Sequence, residues 1–467
     1  MIHRLNPSFA NRASLAFLAK TNCLVLFPAA ALLVCLIVTE SLGNDLPYEV
    51  AWIRHVGSER YDWQSVIAID GAENVYIGGN TADELRRNGF VAKLSSSGEL
   101  QWNRFTAHSL PFNSLSAIAV DNGGTVYTAG GDQQTHQDNG DIIPYLDRYD
   151  PDGNELWWKQ LDNRPDGGDE SFSHGSATSL IIGPSGDLIV AGGSLWYTGT
   201  QSTGFYDGFL TKIAADGSVQ WSRAIGTENW DDIHAMAVDG QGNIVVTGAT
   251  EGNMAGQNQG PNDAFVSKLG PNGSVLWTKQ FGTASDDRGT SVAIDLHGDI
   301  YVVGVTREES SLIKYDSGGQ LVWSRELSPS STAYFESIDT DENGRIYLCG
   351  VNNDNAFLVN YDSSGNLLWT YEFGTLDFDG CSSVQVSPNG NVFLSGMTEG
   401  ELGGIAYGGG DIFVVKLTPV PEPTSIISGA FAVLFVVTRE FRKGLRRAAW
   451  WRRLGQCGGA NSRSDRE

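Results

Sequence analysis

Seven tryptophans, Trp52, Trp102, Trp157, Trp221, Trp277, Trp323 and Trp369, stand 46 to 64 residues apart, each at the same place in one repeating unit. Self-similarity at such a period decides the architecture before any local reading does. The clearest unit runs Trp277-Thr-Lys-Gln-Phe-Gly-Thr, then Ser291-Val-Ala-Ile-Asp295, then Gly298-Asp-Ile-Tyr-Val-Val-Gly304, then Leu312-Ile-Lys-Tyr-Asp316-Ser-Gly-Gly319. Each apolar piece is short, rich in Val, Ile, Tyr and Phe, and bounded by Asp, Gly, Asn or Ser. That is strand and turn chemistry, four strands to a unit.

The register is tight. A turn opens at Asp70, Asp121, Gly183, Asp239, Asp295, Asp341 and Ser387, and nine residues later every unit has a Gly, from Gly79 to Gly396. The third strands carry Lys93, Arg148, Lys212, Lys268, Lys314, Asn360 and Lys416; in the first six units a Gly follows five residues on and a Trp nine residues on. The seventh unit lacks its downstream Trp, since residue 425 is Ser, while an unpaired first strand surrounds Trp52. These features predict an all-β, seven-bladed β-propeller with four antiparallel strands per blade. The N-terminal strand should complete the last blade and close the ring without a free edge. A linear solenoid would call for capping repeats rather than one unit split between the chain ends.

The pattern Trp-x-Arg-x-Phe-Gly-Thr, Ser-x-Ala-x-Asp, Gly-Asn-x-Tyr-Val-x-Gly and Asp-Ala-Phe-Val-x-Lys-Leu, best matched at 221–273 and 277–319, resembles the bacterial SBBP propeller repeat over roughly residues 50–417. That resemblance implies the fold and an exported setting. It implies no set activity, so it transfers no functional residue.

The two ends carry a different message. Arg4, Arg12 and Lys20 precede an apolar run from Cys23 to Val38, and Ser41-Leu42-Gly43 offers small residues before Asn44. That order predicts a signal peptide over 1–43. At the other end, Pro421-Glu422-Pro423 precedes an apolar stretch from Ser425 to Thr438, and seven basic residues crowd into 439–453. The arrangement resembles the PEP-CTERM sorting signal of exported bacterial proteins, although Leu454–Glu467 extend past the basic cluster that usually ends such chains. The resemblance implies processing by an exosortase, and it sets the expected domains at 1–43, 44–418 (the propeller) and 419–467, the last with a transmembrane stretch and a basic tail. The expected location is the cell envelope, cell surface or extracellular matrix, membrane-anchored until the tail is processed.

Charge narrows the partners. The whole chain has a formal net charge of −24, and setting aside the two basic ends leaves 19 basic and 50 acidic residues in 44–418. Such a domain is repelled by nucleic acid and by anionic lipid. Five Cys include no CxxC pair, so a zinc or thioredoxin-type site is not indicated. Cys349 and Cys381 fall in adjacent blades but at different strand positions, which disfavours a disulfide that an oxidising compartment would permit.

Variable intervals locate the working face. The turn following each Trp comes 18 or 19 residues later in six units and 26 later in the third, and the interval from the repeated Gly to the third-strand position ranges from 10 to 20. Loops entering strand one and joining strands two and three therefore tolerate change and are the expected recognition face. Candidate binding residues there are His174, Asp231, Asp232, Asp286 and Asp287. Five residues before each turn opener stand Ser65, Ser116, Thr178, His234, Thr290, Glu336 and Ser382, a polar ring expected to line the central channel, with His234 and Glu336 its ionisable members. Oxygen-rich loops of this kind can hold calcium, and they also serve simply to cap turns. The seven Trp are expected to pack between blades. No GxSxG, HExxH or nucleotide-binding motif is present. The functional expectation is a surface scaffold binding protein or polysaccharide; the alternative is an exported enzyme, a lyase or hydrolase acting on polysaccharide.

Overall fold

The computed structural model describes residues 47–82, 87–106, 112–133, 142–161, 175–194, 206–305, 309–327, 333–404 and 408–420. Seven four-stranded antiparallel blades follow one another along the chain: 61–105, 112–160, 175–225, 231–281, 288–327, 334–373, and finally 379–419 joined by 48–56, the first two linked by a single parallel bridge between Arg87 and Phe112. These are blades 1 to 7. The described residues contain no helix, and hence none long and apolar enough to cross a membrane. The terminal segments expected to direct export and sorting, 1–43 and 421–467, lie outside the described residues.

The ring closes as the split unit predicts. Strand Tyr48–Val56 pairs antiparallel with Asp411–Pro419, with Trp52 opposite Lys416. It forms the outermost strand of blade 7, giving the sheet order 48–56, 411–419, 392–398, 379–386. Apolar residues of neighbouring blades form shared cores. Tyr301, Val303 and Leu312 of blade 5, for example, pack with Phe335, Leu348 and Phe357 of blade 6.

The invariant positions have physical reasons. Six of the seven outer-strand Trp reach the turn between strands three and four of the next blade. Nε1 of Trp52 donates to the carbonyl of Ser96, that of Trp102 to Pro151, Trp221 to Pro271, Trp277 to Ser317 and Trp323 to Ser363. The Gly of that turn sits at positive φ, and a Cβ on Gly153 or Gly319 would stand 2.7 Å from the ring of Trp102 or Trp277. Only glycine meets both demands. Two residues after the Trp, Arg54 and Arg104 lie over their own Trp rings and donate to the Gly98 and Gly153 carbonyls. The Trp-x-Arg pair is thus an inter-blade clasp. Trp369 has no such turn to meet and packs on Tyr48 and Tyr347 instead.

The second invariant Gly, in strand two, answers a β-bulge in strand one. A Cβ on Gly130, Gly248, Gly350 or Gly396 would stand 1.8 Å from a strand-one carbonyl oxygen. The register shifts at that bulge in every blade, as between Ile233 and Ala235 in blade 4. Bulges of this kind re-aim the residues that follow, here toward the channel.

Candidate functional site

Five of the seven ring positions meet. Thr178, His234, Thr290, Glu336 and Ser382 share one polar cavity of about 450 Å³ on the axis. Ser65 is buried there instead, hydrogen-bonded to Ser382 and Ser395.

The acidic rim resolves into two kinds of aspartate. Asp62, Asp231, Asp287 and Asp379 are buried at the start of strand one. Each accepts bonds from a Ser or Thr four residues earlier: the backbone N–H of Ser58, Thr227 and Thr283 donates at 2.6, 2.5 and 2.6 Å, and the Thr375 Oγ1 donates to Asp379 at 2.9 Å. Asp231 and Asp287, candidates for ligand binding by sequence, therefore have carboxylates turned inward to hold the loop between blades. The motif is Gly-Ser/Thr-x-x-x-Asp, and its Gly makes room: a Cβ on Gly226 would stand 2.2 Å from Asp207 Oδ1 and 3.0 Å from Asp231 Oδ2. At three junctions a second buried aspartate shares the space, pairing Asp411 with Asp62, Asp207 with Asp231 and Asp263 with Asp287. Asp286 is exposed and accepts from the Asn262 amide at 2.7 Å. Among the described residues, no group of three or more His, Cys, Asp or Glu could hold a metal ion. His174 lies outside the described residues.

Burial raises the carboxyls of Asp62, Asp231 and Asp287, and it brings Asp232 and Asp339 up to about 6. A carboxyl raised in the fold binds protons that the unfolded chain has released, so it adds stability below the ordinary carboxylate range and that stability is lost as pH rises through the folded value. The free energy of unfolding should fall between pH 4 and 7 by an amount on the order of 1–3 kcal/mol after discounting for solvent near the channel, read out as a falling Tm. A flat or rising Tm across that window would count against these protonation states.

Sequence placed Asp232 and His234 apart in role, and the fold brings them together. His234 Nδ1 lies 2.9 Å from the Gly289 carbonyl, and Nε2 lies 3.8 Å from Asp232 Oδ2. The rings of Tyr206 and Trp230 stack nearby, centroids 4.3 Å apart, and burial together with the charge of Asp232 raises the Tyr206 hydroxyl. Glu336 shares the axial cavity with His234 and also lines a second opening.

That opening is a cavity of about 510 Å³ where blades 6, 7 and 1 meet, walled by Tyr61, Trp63, Phe378 and Met397, with Gln64 and Glu336 supplying polar groups. Tyr61 and Trp63 stack at 6.3 Å. Gln64 is held at φ 52°, one of four non-glycine residues with positive φ among the described residues. Two others, Asn353 and Asp354, form the two-residue hairpin between Asn352 and Asn355. This tight turn is of the kind such residues favour. Sequence reasoning singled out Glu336 alone of these residues. The others come from three blades that meet only because the ring closes.

Residues 276–308 match the SBBP family, a beta-propeller repeat. The regulatory protein FlaEY of Caulobacter vibrioides is 26% identical over 184 residues, 36% of this chain and 18% of that protein, so the chain spans under a fifth of that relative's length. The solved polysaccharide lyase Uly1 superposes with a TM-score of 0.52 at 13% identity, covering 77% of this chain and 90% of that one. YCF48, solved bound to D1 peptide, gives a TM-score of 0.47 at 11% identity over 82% and 98% of the two chains. At such identities the likeness is one of fold.

Proposed function

We propose that this protein is an exported propeller, held at the cell surface or in the extracellular matrix, which binds a protein or polysaccharide partner through its variable-loop face. The observation that carries the reading is the aromatic-walled cavity at blades 6, 7 and 1, concave, mostly apolar and set with a few polar groups, as binding sites are. The reading of the ends supports export: an N-terminal signal peptide, and a PEP-CTERM-like tail with Pro421, Glu422 and Pro423 ahead of an apolar segment and basic residues that resist translocation. An exosortase would then be the processing partner. Truncation after Thr418 should release a folded propeller into the medium, whereas the full chain stays with the envelope until its tail is cut. Fractionation followed by immunoblotting reads this out, and an intact, soluble, cytoplasmic full-length chain would end the proposal.

A second reading has one observation in its favour. The His234–Asp232 pair at the channel could act as a general base on a polysaccharide. If it does, incubation with polysaccharide substrates yields shortened chains, and His234→Ala abolishes the cleavage while leaving the fold intact.

A further inference from the structure

The cavity at blades 6, 7 and 1 has a hydrogen-bonding character that narrows its occupant. The Ser382 hydroxyl donates to the Ser65 carbonyl at 2.9 Å, and the Cys381 thiol points at the Ser395 carbonyl at 3.5 Å. Their hydrogens are committed to the protein, so both offer the cavity mainly acceptor character. Glu336 adds a carboxylate, and no Lys or Arg is among the lining residues. Three aromatic rings, of Tyr61, Trp63 and Phe378, complete the walls. Aromatic faces and a carboxylate both attract cations. The donors in the lining, the Gln64 amide, the Trp63 indole N–H and the Tyr61 hydroxyl, are all uncharged, so Glu336 is the one formal charge the cavity offers.

The backbone is arranged to present this surface. Gln64 occupies a left-handed conformation in a strand, a strained state that persists where its surroundings over-determine it, and its Oε1 accepts from the Asn80 amide at 3.3 Å. The volume of about 510 Å³ admits a long side chain together with flanking backbone. The excess of 50 acidic over 19 basic residues in 44–418 supplies a long-range field drawing in positive charge.

We propose that this cavity receives the cationic side chain, lysine or arginine, of a protein partner. The inference rests on the binding-scaffold reading and specifies its ligand. Burial raises the Glu336 carboxyl, partly offset by Arg288, so affinity for the cation should fall as the medium is acidified through the carboxylate range.

Isothermal titration calorimetry on the detergent-purified full chain tests this, using the peptides acetyl-Gly-Lys-Gly-amide, acetyl-Gly-Arg-Gly-amide and acetyl-Gly-Gln-Gly-amide, and a neutral glucan oligosaccharide. The expected result is that a Lys or Arg peptide binds at least tenfold more tightly than the Gln peptide. Glu336→Gln and Trp63→Ala should each weaken that binding at least tenfold, with the circular dichroism spectrum unchanged. Equal affinity for the Lys, Arg and Gln peptides, or an unaltered affinity in Glu336→Gln, overturns the inference. If the oligosaccharide binds instead and Trp63→Ala removes it, the cationic ligand is wrong and the scaffold reading stands. If no probe binds, the inference falls and the cavity no longer supports the scaffold reading either.

Discussion

Deleting residues 48–56 is expected to unfold the whole ring, not one blade. This strand contributes the outer edge of blade 7 through eight paired residues with 411–419. It buries Trp52 and Val56 against blades 7 and 1, in a core that includes Phe90, Leu94, Phe393 and Val414. Full burial of two such side chains is worth about 3–6 kcal/mol, a large share of the roughly 5–15 kcal/mol that separates a folded domain from its unfolded chain. Deletion also exposes the edge of 411–419, with its row of unpaired backbone groups, and removes the clasp of Trp52 and Arg54 on the Ser96–Gly98 turn. Blades 7 and 1 then lose their covalent link together with the part of their packing that this strand supplies. Thermal unfolding by circular dichroism should show a lost or strongly lowered transition, and a synthetic 48–56 peptide added in trans should restore part of it. A deletion variant melting within about 2 °C of the parent would show that closure is not what holds the ring.

Much of this fold could be read from spacing alone because a propeller repeats one local problem seven times. Glycine at a positive-φ turn under a Trp, and glycine opposite a strand-one bulge, are demands that admit one residue, so they surface as invariant offsets. The blade split across the two chain ends was visible for the same reason: one Trp was missing and one was spare.

The candidate site was less legible. Asp231 and Asp287 look like rim ligands in sequence because aspartate is equally suited to hydration and to capping. The four-residue spacing from Thr227 and Thr283 is what separates the two roles, and it repeats at Ser58–Asp62 and Thr375–Asp379. Tyr61, Trp63 and Phe378 escaped notice because their meeting depends on ring closure, a contact between residues more than 300 apart in the chain. Their signal lay in departures from the repeat: where Asp232 stands in blade 4, blade 1 has Trp63.

The strongest single side chain at the seam is another departure. In blades 2 to 7 the third residue after the turn opener is a Gly at φ 73–82°, whereas blade 1 has Glu73 at φ 60°. Blade 7, its neighbour across the seam, opens the equivalent turn with Ser387, so its buried Lys416 has no acid in its own blade of the kind that Asp239 gives Lys268 at 3.4 Å. Glu73 reaches over and supplies one. Lys416 Nζ donates to its Oε2 at 2.7 Å, Ser387 Oγ to Oε1 at 2.8 Å, and the amides of Asn389 and Asn391 at 2.9 and 2.8 Å. Burial alone would raise this carboxyl; the bonds from Lys416 and the three polar neighbours outweigh it and bring the group down to about 2. Removing one partner of a buried pair strands the other charge, so Glu73→Ala should destabilise the propeller by about 3–5 kcal/mol. Glu73→Gly makes the decisive comparison. It relieves backbone strain of order 1 kcal/mol, yet it should still melt well below the parent, because the stranded Lys416 outweighs that relief. Adding Lys416→Met to Glu73→Gly should recover much of the loss, which identifies the pair as its source. The pH dependence carries the opposite sign to that of the buried aspartates: a lowered carboxyl stabilises above its ordinary value, and that contribution disappears as pH falls from about 4.5 toward 2. Parent and Glu73→Gly should therefore converge in Tm as the medium is acidified. A Glu73→Gly variant as stable as the parent at neutral pH would mean that Glu73 is a strained turn residue and not the clasp of the ring.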